Sequence, residues 1–126
     1  MKLAEIRDIL DADVIIGTDK LDLEIRTAFG ADLMSDVLAF ARSGCLLITG
    51  LSNPQSVRTA YALDIAAIVI CRGKALSEKF IEIAKELNIP ILLTRYIMFE
   101  TCGRLFQAGI TGCIREVHLE DKQRAQ

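Results

Sequence analysis

The chain has 126 residues, 52% of them hydrophobic, and a formal net charge of −2. That length suits one domain with one core, and without a basic stripe the electrostatic drive for nucleic-acid binding is missing. The apolar share exceeds that of ordinary soluble domains, yet the longest apolar run, Ile65 to Cys71, falls far short of the ~20 residues of a spanning helix. The surplus predicts a subunit interface, most simply that of a twofold homodimer, and no membrane partner.

Near the N-terminus Glu5 and Asp8 interrupt the apolar residues, so no signal peptide is expected and the expected location is cytoplasmic. Residues 3–11 predict a helix with Leu3, Ile6 and Leu10 on one face. Val14-Ile15-Ile16 predicts a short strand and residues 17–20 a turn. Leu21, Leu23, Ile25, Thr27 and Phe29 then alternate with Asp22, Glu24, Arg26 and Ala28. A period of two predicts a half-exposed strand near a sheet edge. Asp32 is placed to cap a helix over 33–42, with Leu33, Val37, Leu38 and Ala41 turned inward.

Three similar units follow. Cys45 to Thr49 predicts a strand, 50–53 a loop, and 54–63 a helix opened by Asn53 as cap and Pro54 at its first position. Ala66 to Cys71 predicts the next strand, Arg72-Gly73-Lys74 its loop, and Ser77 the cap of a helix running to about Leu87. There Phe80, Ile83, Ala84 and Leu87 keep helical spacing, and Asn88 and Pro90 stop it. Ile91-Leu92-Leu93 predicts the third strand, followed by Thr94-Arg95. The last helix, about 97–108, is predicted to bury Phe99, Cys102, Leu105 and Phe106, with Gly109 ending it. Residues 1–114 form the expected domain; 115–126 read as a polar C-terminal tail.

Even recurrence of the strand starts could suggest a solenoid. Short, continuously apolar strands fit a mainly parallel sheet better, because such strands are buried on both faces. The predicted class is therefore α/β, with βα units in three layers. Right-handed crossovers would bring the three loops to one edge. In open parallel sheets, ligands bind outside the carboxyl ends of the strands. That edge would carry Thr49, Gly50, Ser52, Asn53, Arg72, Gly73, Lys74, Thr94 and Arg95. Hydroxyls, glycines and cations beside helix N-termini suit a phosphate or a carboxylate. The plainer reading makes them ordinary turn residues and solvated cations.

Catalytic patterns are absent. Gly44-x5-Gly50 lacks the Lys-Ser/Thr ending of a P-loop, and no G-x-G-x-x-G occurs. The single histidine, His118, falls in the polar tail. Helix capping and a first-turn acidic residue account for Asp32 and Asp36. The four cysteines, at 45, 71, 102 and 113, include no C-x-x-C pair. They read as small hydrophobes rather than a metal site or disulfides. No enzymatic activity and no metal are expected.

Four segments carry a family resemblance: Asp36-Val37-Leu38-Ala39, Leu46 to Pro54, Ile68 to Lys74, and Ile89 to Tyr96. Over about residues 10–110 they resemble the DRTGG domain, which is similar to the N-terminal domain of HPr kinase/phosphorylase. That domain also occurs beside phosphotransacetylases and inside pyrophosphatases with CBS domains. The resemblance implies an α/β fold, frequent dimerisation and a regulatory or accessory role; the P-loop domain of the kinase is not part of it. It implies adenine nucleotide or a phosphate-type group as the candidate ligand, and a redox partner, since stand-alone copies accompany iron-hydrogenase genes. The letters D-R-T-G-G are not spelled out here. Ile97-Met98 stands before Phe99 where family members often show Asp-Thr. The alternative is a protein-interaction adaptor with no small ligand, using an exposed patch such as Ile97-Met98-Phe99.

Overall fold

The computed structural model describes residues 1–119. The elements are α1 (Leu3–Ile9), β1 (Asp13–Ile16), β2 (Thr27–Gly30), α2 (Met34–Phe40), β3 (Leu46–Thr49), α3 (Pro54–Ala62), β4 (Ala67–Ile70), α4 (Glu78–Glu86), β5 (Ile91–Leu93), α5 (Met98–Gln107) and β6 (Thr111–Gly112). The strands form one sheet in the order β1-β5-β4-β3-β2-β6. Every pairing is parallel except β1 with β5.

The alternation of side chains along buried strands divides the core in two. Leu47, Ile68, Ile70 and Ile91 pack with Val37, Val57, Ala60, Phe80 and Ile83, so α2, α3 and α4 cover one face. Leu46, Ile48, Ala67, Val69 and Leu92 pack with Leu3, Ile6, Leu10 and Leu105, so α1 and α5 cover the other. The result is the expected three-layer α/β architecture. The strands of β3 and β4 are buried at every position.

Two helix starts follow the predicted capping chemistry. Asn53 Oδ1 accepts from Ser56 N–H at 2.9 Å, with Pro54 behind it. Ser77 Oγ accepts from Phe80 N–H at 3.1 Å. Asn88, with φ of 58°, takes the left-handed turn after α4.

Four expectations are corrected. Residues 21–26 are not a strand: Leu3 and Ala4 donate their N–H groups to the carbonyls of Leu23 and Leu21. The segment therefore serves the unpaired first-turn donors of α1, and its one fully buried side chain is Ile25. Asp32 does not cap α2, whose cap position is Leu33 with no side-chain bond. Leu33 and Leu38 are exposed, while Val37 and Ala41 are buried. On α5 only Leu105 of the four predicted core residues is fully buried; Cys102 is half-buried, and Phe99 and Phe106 are exposed. The apolar arc of α5 is wider than the strip that the sheet covers. Strand β6 has just two residues, too short to leave a periodic signal. Residues 115–119 are exposed and carry no regular structure; the rest of the expected tail, 120–126, lies outside the described residues. No helix among the described residues is long and apolar enough to cross a membrane.

Candidate functional site at the carboxyl edge of the sheet

Helix α4 leaves β4 toward one face of the sheet, and α5 leaves β5 toward the other. The sheet's direction of winding therefore reverses between these two adjacent strands, where ligands of doubly wound folds bind. In this chain the reversal point is laced shut by main-chain bonds. Arg72 N–H donates to Tyr96 O and Gly73 N–H to Thr94 O, both at 2.8 Å. Thr94, with no exposed surface, donates its hydroxyl to Leu10 O at 2.8 Å and accepts from Tyr96 N–H at 3.3 Å. Its oxygen is a structural tie and is not presented to solvent.

The other predicted residues divide the same way. Thr49 is fully buried, and its hydroxyl donates to Asp32 Oδ1 at 3.1 Å. Asn53 is occupied as a helix cap. Ser52 is half-buried, and Gly50 is buried. Arg72, Gly73, Lys74 and Arg95 are exposed. Among the described residues, none of the three cations has a carboxylate oxygen within 4.0 Å.

Asp32 is the residue that the sequence reading placed elsewhere. Its Oδ1 accepts Gly50 N–H at 2.7 Å as well as the Thr49 hydroxyl. A Cβ built at Gly50 would stand 3.4 Å from Asp32 Oδ1 and 3.5 Å from Arg72 Nε. The guanidinium thus lies across Gly50, beside the carboxylate. Arg72 reaches this position from a left-handed backbone, φ 60°, followed by Gly73 at 59°. The position of Asp32 two residues past the end of β2 was the available signal.

Arg95 faces a different setting. With Asp11, Asp13, Gly73 and Leu93 it lines a cavity of about 390 Å³, so two acidic residues share its setting. On the other side, Arg72 has the Asp32 carboxylate beside it, beyond ion-pair distance, and Lys74 follows two residues on.

Behind the edge lies Cys71, 1% exposed, its thiol 3.6 Å from Thr101 Oγ1. Burial pushes this thiol above the ordinary range; the Asp32 carboxylate adds to the rise and the Arg72 charge opposes it. Cys102 is likewise raised by burial. Cys45 is buried against the opposite face, with α2 to α4, and burial pushes it to about 11. Raised in this way, these thiols stay protonated at neutral pH, which disfavours the thiolate form.

The three layers and the reversal point make this a doubly wound α/β domain, a class defined by its fold and not by one activity. The DRTGG domain family model matches residues 5–108, and the chain belongs to that family. Among solved structures it is similar to the CBS and DRTGG domains of the regulatory region of Clostridium perfringens pyrophosphatase, crystallised with the activator diadenosine tetraphosphate. The TM-score is 0.70 at 18% identity, over 98% of this chain and 58% of that one. This likeness is one of fold. No curated protein matches the chain.

Proposed function

We propose that the chain is a non-catalytic regulatory module, a homodimer in solution, that binds a small anion or nucleotide at the Asp32–Gly50–Arg72 edge. The observation that carries the proposal is the Arg72 guanidinium, held over Gly50 from a left-handed backbone with no carboxylate within 4.0 Å among the described residues. Left-handed non-glycine residues outside helix ends cluster at ligand clamps and switch regions. Arg72 would take a phosphate, with Lys74 close by in the same loop. Asp32 would accept a hydroxyl from the same ligand, a pairing that suits a nucleotide's phosphate and ribose. The structural neighbour's co-crystallised activator is a nucleotide as well.

The test is thermal melting with orthophosphate, acetyl phosphate, AMP and ATP. A ligand at ~100 times Kd adds about 2.7 kcal/mol to stability, a shift of several degrees. We expect at least one phosphate compound to give this shift and Arg72→Ala to remove it. No shift with any of the four, or the same shift in Arg72→Ala, would refute the site. The adaptor alternative rests on a different feature, the exposed phenylalanines of α5.

A further inference from the structure

Helix α5 turns two aromatic rings to solvent: Phe99 is 88% exposed and Phe106 71%. Seven positions apart, they lie on one face of the helix. Between them sits Gly103, exposed, with open space where a Cβ would stand. A glycine inside a helix lowers its stability relative to alanine, and nothing among the described residues packs over this one. Beside the rings a cavity of about 330 Å³ opens between α5 and the edge strands, floored by Ala28, Gly30 and Gly112. Ile97, 67% exposed, extends the apolar surface.

The face carries both protruding rings and a hollow. An apolar cavity of roughly 150 Å³ already accepts a benzene ring, so this one has room for a phenylalanine side chain. We propose that a second copy of the chain docks here, α5 crossing α5 near Gly103 about a twofold axis, with a phenylalanine of each copy seated in the other's cavity. A surface that bears knob and hole together suits an isologous contact, in which the same patch serves both partners. Buried aromatic side chains contribute about 150–250 Å² each, so two rings supply a large part of the ~800 Å² per partner of a standard interface. The neighbouring charges do not oppose the contact: Arg104 Nε is bonded to Glu100 Oε2 on its own helix at 2.9 Å. Gly103 admits close approach of the two helices.

The inference rests on the homodimer of the proposed function and assigns its surface. Sedimentation velocity of the full chain over a wide concentration range tests it, with the double variant Phe99→Ser, Phe106→Ser and the single variant Gly103→Leu. Gly103→Leu favours the helix and enters open space, so the chain still folds; circular dichroism verifies this. We expect a wild-type dimer whose dissociation constant rises by about 30-fold or more in each variant, the size of a hot-spot loss. Phosphate-dependent melting shifts should be unchanged in both. A wild-type chain that stays monomeric at every concentration overturns the inference together with the homodimer. A dimer that persists in both variants overturns the inference alone.

Discussion

Arg72 illustrates how a single side chain can be held against its own backbone preference. A left-handed conformation costs a non-glycine residue about 1–2 kcal/mol. Glycine at the position would remove that strain but lose about 0.4–1 kcal/mol through its more flexible unfolded chain. Arg72→Gly is therefore expected to raise stability by about 0.5–1 kcal/mol in urea melts, while losing the response to phosphate compounds. Asp32 works in the opposite sense. Without it, Gly50 N–H and the buried Thr49 hydroxyl lose their acceptor, so Asp32→Ala should cost about 1–3 kcal/mol. Asp32→Asn keeps an amide oxygen in place and should cost less; equal losses in the two variants would show that the acceptor is not what matters. The cations of this edge were legible in the sequence, because three strand ends could be counted and their loops read. The roles of the hydroxyls were not. Whether Thr94 faces a ligand or Leu10 O depends on α1 lying behind the edge, and no local pattern reports that contact.

Helix boundaries repeat this lesson at the level of elements. The starts of α3 and α4 were readable because Asn53-Pro54 and Ser77 act within four residues of themselves. Replacing either cap by alanine should cost about 1 kcal/mol, measured by urea unfolding. The burial of α5 was not readable. Phe99, Cys102, Leu105 and Phe106 keep helical spacing, but the sheet accepts only the strip through Thr101 and Leu105. Periodicity establishes that a helix has an apolar arc without stating how much of it the chain itself covers. The segment 21–26 failed for a related reason. Its alternation is real, but the donors it meets belong to a helix end rather than to a neighbouring strand.

For the molecule as a whole, two half-cores meet at one sheet, and the buried thiols connect its stability to alkaline pH. Cys45 has its thiol raised from an ordinary value of 9.0 to about 11. A raised folded pKa means that the unfolded chain releases the proton first. The contribution is complete below pH 9 and is lost as pH rises toward 11. Urea midpoints should therefore fall across that interval, and Cys45→Ala should flatten the dependence. A wild-type midpoint that is constant through it would contradict the assignment. The class and layer order were legible because buried parallel strands leave continuous apolar runs. The sheet's far edge was not, since β6 is set by pairing with β2 rather than by its own residues.

That pairing has a kinetic consequence. Thr27 meets Thr111 only after α5 has carried the chain back past β4, β3 and β2. The β2–β6 contact closes one of the longest loops in the fold for a two-residue reward, so it forms late and opens early. In native-state hydrogen exchange, the Cys113 amide bonded to Ala28 O should exchange through a local opening, well before the amides of β3 and β4 that await global unfolding. The margin of the sheet would then breathe while its centre stays closed.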